Sequence, residues 1–98
     1  MFMFDDYEIT LISEFDDGSH GIFCEPYTDG DEKYPSFKQK IWSVYGHYPS
    51  DGSYKDPETG DSMQGVDCLC DFRFESGKHA FAVYDHFMET LRLAKKSS

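Results

Sequence analysis

Cysteines and carboxylates are the residues in this chain whose types could do chemistry. Cys68 and Cys70 are separated by one residue, and Cys24 lies far from them along the chain. Structural zinc sites usually separate paired cysteines by two residues, near a turn. A spacing of one on a strand directs both thiols to the same face, where thiols act as small hydrophobic groups. We therefore interpret Cys68 and Cys70 as core residues, with a metal site as the alternative.

The sequence motifs of catalysis are absent. The chain has no Gly-x-Ser-x-Gly, no phosphate-binding glycine loop and no His-Glu-x-x-His. The oxygen-rich segments 29–32 and 51–61 lack the residue spacing of a calcium loop. The sequence thus predicts a protein that is not an enzyme and has no cofactor, with a metal-binding or small catalytic domain as the alternative.

The excess of acidic residues is the strongest functional signal. There are 19 Asp and Glu against 9 Lys and Arg, a formal net charge of −10. Such a charge repels nucleic acids and anionic membranes and favours a basic protein partner. The odd number of cysteines gives no closed set of disulfides, which indicates a reducing compartment, the cytoplasm. The N-terminal sequence predicts neither a signal peptide nor a membrane span.

The best-bounded element is a strand at residues 66–74. Val66, Cys68, Cys70, Phe72 and Phe74 alternate there with mostly charged residues. A period of two predicts a strand with one apolar face and one charged face. We expect it at the centre of the sheet.

The remaining elements are two strands joined by a hairpin turn at Asp17-Gly18, and two helices. The strands are predicted at 7–15 and 20–27, and the helices at 35–45 and 76–95. This β-β-α-β-α order predicts one α+β domain over residues 1–98, a small antiparallel sheet with both helices packed on one face. An extra minor hairpin is expected around residues 54–63.

The sheet face opposite the predicted helices is the candidate interface. A two-residue turn pairs Ile12 with Phe23 on that face, and Leu69 joins them from the third strand. Acidic side chains surround this apolar spot, as at many protein interfaces, unless a loop or a second copy of the chain covers it. The candidate partner-binding residues are Asp67, Asp71, Glu75, Glu25, Glu14, Asp16, Asp17, Asp29, Asp31, Glu32, Leu69 and Phe23.

In size, charge and lack of catalytic motifs, the chain resembles small acidic inhibitors that phages and mobile elements make against host nucleases, such as anti-CRISPR and anti-restriction proteins. The resemblance implies a non-enzymatic inhibitor, monomeric or homodimeric, acting in the host bacterial cytoplasm. It would block the basic nucleic-acid-binding surface of an effector or nuclease. Same-face residues on a strand are about 6.6–6.8 Å apart, but Leu69 and Arg73 alternate with Asp67, Asp71 and Glu75, so acids recur only about every 13 Å along that strand. A DNA mimic would therefore need the whole acidic surface. A toxin-immunity protein that binds a basic nuclease is the alternative.

Overall fold

The computed structural model describes residues 3–19 and 21–97 as a four-stranded antiparallel sheet followed by one long α-helix. The order across the sheet is β2-β1-β3-β4, so β1 and β3 are central. Short 3-10 helices at Asp31–Lys33 and Phe74–Ser76 precede β3 and the α-helix. The main elements are β1 (Asp6–Asp16), β2 (Ile22–Pro26), β3 (Phe37–His47), β4 (Val66–Arg73) and α1 (Gly77–Ser97).

The predicted helix at 35–45 is wrong, and with it the β-β-α-β-α order and the pair of helices on one face. This stretch forms β3, which pairs with β1 on one side and β4 on the other, and the observed order is β-β-β-β-α. Ile41, Trp42, Val44 and Tyr45 are β-branched or aromatic and fit a pleated surface. Since a central strand is shielded on both faces, its apolar residues need not alternate, and here they mimicked helical spacing.

Helix α1 packs across one face of the sheet, as its predicted apolar stripe requires. The Phe87 ring stacks on Tyr7, with ring centroids 5.0 Å apart, and Phe81 meets Trp42 edge-on at 5.1 Å. Ala80 and Leu91 are buried. Among the described residues, no helix combines the length and apolar character that crossing a bilayer requires.

The two faces of the sheet follow from the register. Tyr7 pairs with Gly46, Ile9 with Val44, and Leu11 with Trp42, and directly paired residues share a face. We call this side, which carries α1, the covered face. The alternate residues form the other side, the open face, which includes Glu8, Thr10, Ile12, Glu14, Ser43 and Tyr45.

Strand β4 lies at an edge of the sheet, not at the centre as predicted. A β-bulge at Leu69 interrupts its alternation, because Val44 pairs with Cys70 while the next residue, Tyr45, pairs with Cys68. Adjacent residues of β3 point to opposite faces, so the two thiols do as well. The prediction that both cysteines share a core face is therefore wrong, and Cys68 is exposed.

The connection from β1 to β2 spans residues 17–21 rather than a two-residue turn. Phe15 pairs with Phe23, and Glu14 pairs with Cys24. This register differs from the predicted one by an odd number of residues, which moves every β2 side chain to the opposite face. His20, where the strand was predicted to begin, lies outside the described residues.

The segment from Tyr48 to Gly65 links β3 to the edge strand. Tyr48 is buried beside Phe4, with ring centroids 4.9 Å apart, and stacks on Tyr54 at 5.6 Å. The predicted minor hairpin is present as a short one: Lys55 and Ser62 form an antiparallel bridge, flanked by hydrogen bonds from Asp56 N–H to the Asp61 carbonyl at 2.8 Å and from Met63 N–H to the Tyr54 carbonyl at 2.9 Å.

Candidate protein interface

The aspartates of β4 face opposite sides of the sheet. Asp71 pairs with Ser43 on the open face, whereas Asp67 pairs with Gly46 on the covered face. The bulge at Leu69 lies between them and shifts the alternation by one residue. The single acidic face predicted for this strand is therefore not formed.

The predicted apolar spot is also divided between the faces. Ile12 lies on the open face together with Glu14, whereas Phe23 and Glu25 share the face of Phe15. The structure thus brings Phe23 and Glu25 together, but separates both from Ile12.

Several of the predicted interface carboxylates accept hydrogen bonds within the fold, Asp31, Asp67 and Glu32 among them. Asp31 is buried, and its Oδ2 accepts hydrogen bonds from Ser13 Oγ at 2.8 Å and from the Thr28 backbone N–H at 3.0 Å. These bonds lower the pKa of Asp31. Asp67 accepts a hydrogen bond from the Tyr48 hydroxyl. Asp31 therefore anchors the loop before β3, and Asp67 anchors the segment before β4.

Glu32 is another internally bonded carboxylate. It accepts hydrogen bonds from the Tyr27 hydroxyl at 2.7 Å and from Lys40 Nζ at 2.9 Å. These bonds lower the pKa of Glu32 to about 2, so the group stays ionised across the physiological range. The Lys40 ammonium also lies over the Phe74 ring, 4.3 Å from its centroid, which ties this loop to the start of α1.

The second 3-10 helix places Glu75 near basic groups. Glu75 is exposed and borders a hollow shared with Lys40 and Arg73. Because two bases line the same hollow, Glu75 adds little negative potential to this part of the surface.

Solvent-facing carboxylates and rings meet at the β2 end of the covered face. Phe23 is 43% exposed and Tyr34 is 62% exposed. Both border a hollow of about 330 Å³ together with Glu25, and Asp29 lines the adjoining hollow with Tyr34. We call Phe23, Glu25, Asp29 and Tyr34 the acid–aromatic end.

The β1–β2 connection adds acidic residues next to the acid–aromatic end. The Asp16 backbone N–H donates to the Ser36 carbonyl at 2.8 Å, which fixes this turn against the loop that carries Tyr34. The Asp16 carboxylate lies 3.7 Å from Lys38 Nζ, and Asp17 is exposed. The turn therefore extends the acidic surface, with one of its carboxylates partly neutralised.

A second hollow, the open-face pocket, has a volume of about 270 Å³. Its lining comes from all four strands. Both outer strands border it, β2 through Pro26 and β4 through Val66. The lining residues are Glu8, Thr10, Ile12, Cys24, Glu25, Pro26, Tyr45 and Val66.

The thiols are held in their protonated form. Burial, the hydrogen bond to Asp71 and the charge of that carboxylate raise the pKa of Cys68 to about 11. The Cys68 Sγ donates to Asp71 Oδ1 at 3.3 Å, and Ser43 Oγ donates to the same oxygen at 2.6 Å. Burial also raises the pKa of Cys24 and of Cys70. Since the thiolate is the reactive form, these cysteines are weak nucleophiles at neutral pH.

Metal ligation was the alternative for the cysteines. Within residues 3–19 and 21–97, no group of three or more His, Cys, Asp or Glu side chains is arranged to hold a metal ion. Cys68 and Cys70 point to opposite faces, so they are not placed to bind one ion together.

No family model matches this sequence, and neither a curated protein nor a solved structure matches it. The function must therefore be inferred from the side chains and their geometry.

Sequence reasoning missed the residues that build the open-face pocket, apart from Ile12 and Glu25. Tyr45 was assigned to a helical stripe, and Val66 to the core face of a central strand. The sequence does carry one signal for Tyr45, because Ile41, Ser43 and Tyr45 fall on every second position of a β-rich stretch. Reading 37–47 as a strand would have placed Tyr45 on a sheet face beside β1.

Proposed function

We propose that the protein is a non-enzymatic inhibitor that binds a basic protein and blocks its nucleic-acid-binding surface. The observation that carries the proposal is the acid–aromatic end. There, the half-exposed Phe23 and Tyr34 rings lie beside Glu25 and Asp29. Aromatic side chains are enriched at the centres of protein interfaces, and surrounding carboxylates complement a basic partner.

The charge distribution supports a partner that normally binds nucleic acid. The formal net charge of −10 gives a negative potential that steers a basic protein towards the surface. The partner's lysines and arginines would exchange phosphates for carboxylates, so nucleic acid and this protein would compete. Dissolved salt screens such attraction, with a Debye length of about 10 Å at 0.1 M.

The experiment is affinity capture from a bacterial lysate at about 50 mM and about 200 mM salt, with nucleic acid as a competitor. We expect a nucleic-acid-binding protein to be captured at low salt, to be largely released at high salt, and to be displaced by added DNA or RNA.

A matched pair of variants tests the location of the interface. The variant with Glu25→Gln and Asp29→Asn loses two charges at the acid–aromatic end. The control with Glu58→Gln and Asp85→Asn loses two exposed charges elsewhere. We expect only the first variant to weaken capture. Binding that resists both salt and nucleic acid, or that both variants weaken equally, would overturn the proposal.

A further inference from the structure

The open-face pocket is a rigid hollow built on the sheet. Ile12 forms part of its floor and is only 5% exposed, although α1 covers the opposite face. Pro26 and Val66 border it from the two outer strands, and the Tyr45 ring borders it from β3. Side chains on paired strands are held by the backbone ladder, so this pocket exists before any partner arrives.

The charge at the pocket is negative and fixed in position. Glu8 Oε2 accepts a hydrogen bond from Thr10 Oγ1 at 2.6 Å, and Glu8 Oε1 lies 2.7 Å from His47 Nε2. These two contacts lower the pKa of Glu8. The carboxylate is therefore ionised at neutral pH and oriented by its neighbours.

Two further carboxylates act on the same pocket. Cys24 lines it, and the pKa of its thiol is raised by burial and by the charges of Glu14 and Asp71. His47 is the basic group that contacts Glu8 here, whereas Lys40 and Arg73 line a separate hollow. An apolar floor beside the Glu8 carboxylate complements a side chain with an aliphatic stem and a cationic end.

We infer that the open-face pocket receives an arginine side chain of a basic protein partner. Its aliphatic stem would pack on Ile12 and Val66, as arginine stems do on apolar surfaces. Its guanidinium would lie against the Tyr45 ring and donate hydrogen bonds to Glu8. Arginine suits the pocket better than lysine, because a planar guanidinium stacks on aromatic rings and binds carboxylates with two donors. This inference rests on the proposed function for the basic character of the partner.

The test is an NMR titration of the whole protein with three short peptides. The probes are acetyl-Leu-Arg-Leu-amide and the same peptide with lysine or uncharged citrulline at the centre. We expect the arginine peptide to shift the backbone amide signals of Thr10, Cys24, Tyr45 and Val66. The citrulline peptide should bind about tenfold more weakly, because it keeps the shape but loses the charge-assisted hydrogen bonds.

Two variants locate the interaction. Glu8→Gln should weaken arginine-peptide binding about tenfold, since it removes the charge that the guanidinium meets. Glu89→Gln, an exposed change on α1 where the carboxylate pairs with Arg92, should leave binding unchanged.

The other outcomes count against the pocket or against the proposed function, and they distinguish the two. If the citrulline peptide bound as tightly as the arginine peptide, the charge of the guanidinium would have no role in binding. Shifts centred on Phe23, Asp29 and Tyr34 would refute the pocket while supporting the acid–aromatic end. No shift with any peptide would refute the pocket and leave the proposed function to the capture experiment. Peptide binding at the pocket without capture of a basic protein would support the pocket and count against the proposed function.

Discussion

Replacing Gly46 with alanine tests how one end of the covered face is closed. A Cβ atom at this position would lie 2.6 Å from two carbon atoms of the Phe4 ring. Ordinary van der Waals contact begins at about 3.4 Å. The Phe4 ring is only 8% exposed and packs against Tyr7 and Tyr48. The ring must therefore move away, or the strand must distort.

The expected cost follows from these two responses. Exposing a buried phenylalanine side chain costs about 1.5–3 kcal/mol. Keeping it in place in an overpacked site costs about 1–3 kcal/mol. Alanine recovers about 0.5–1 kcal/mol, because glycine loses more conformational freedom on folding. We expect Gly46→Ala to lower the free energy of unfolding by about 1–2 kcal/mol, which for a domain of this size lowers Tm by roughly 4–16 °C.

The assay is urea unfolding followed by the fluorescence of Trp42, measured for Gly46→Ala, Phe4→Ala and the double variant. In the Phe4→Ala background the added methyl group meets no ring, so Gly46→Ala should become neutral or stabilising. This coupling between the two sites distinguishes a clash with Phe4 from a general intolerance of alanine. A Gly46→Ala variant as stable as the parent, or an equal loss in both backgrounds, would refute the reasoning.

Three charged or titrating groups give further tests. Burial, together with the hydrogen bond and charge of Asp71, raises the pKa of Cys68 to about 11, so Asp71→Asn should lower that pKa part of the way and speed alkylation of Cys68 at pH 9, read by mass spectrometry. The pKa of Glu32 falls from 4.5 to about 2 on folding, so its contribution to stability should be complete above pH 4.5 and lost as pH drops towards 2. In acid unfolding, the free energy of unfolding of Lys40→Met should fall less over this pH range, because Lys40 helps to lower the pKa of Glu32. Asp31→Asn removes the buried charge that accepts hydrogen bonds from Ser13 and Thr28 and should lower Tm at pH 7 in thermal unfolding, whereas exposed Asp85→Asn should not.

The spacing of apolar residues along the sequence was sufficient to predict some elements of this fold. The alternation from Ile9 to Phe15 predicted β1, and the apolar stripe through Ala80 and Leu91 predicted α1 and its packing face. Helix α1 packs on one side, so its sequence carries a clear helical period. Strand β1 is central and buried on both faces, with Ile12 on the open face and Phe15 on the covered face, but Ile9, Leu11 and Phe15 still fall on alternate positions. The backbone at the start of α1 also lies very close to the Trp42 ring, since a Cβ atom at Gly77 would be 2.8 Å from Trp42 Nε1.

Strand β3 could not be recognised from apolar spacing alone. Its residues from Ile41 to His47 are all at least partly buried, because β1 and β4 flank the strand and α1 covers one face. In β3 the apolar residues Ile41, Trp42, Val44 and Tyr45 do not alternate with polar ones. Its β-branched and aromatic content was the better indicator, and the helical period was the misleading one.

The candidate interface depended on register, which the sequence specified least well. The predicted turn at Asp17-Gly18 was too short, and this error reversed the faces of Phe23 and Glu25. The bulge at Leu69 then separated Asp67 from Asp71. The connection contains two glycines with positive φ, Gly18 and Gly21, so the Asp17-Gly18 pair alone did not fix its length. The bulge has no local sequence signature, because it depends on pairing with the partner strand.

The bulge at Leu69 also divides β4 into two halves. Residues 66–68 pair with residues 45–47 of β3, and residues 70–73 pair with residues 41–44. A one-residue deletion at Leu69 would remove the bulge and leave a regular ladder, because Cys68 already pairs with Tyr45 and Cys70 with Val44. Cys68 and Asp67 would therefore keep their faces, so the loss of a single codon would straighten the strand without moving an acid or a thiol to the other surface of the protein.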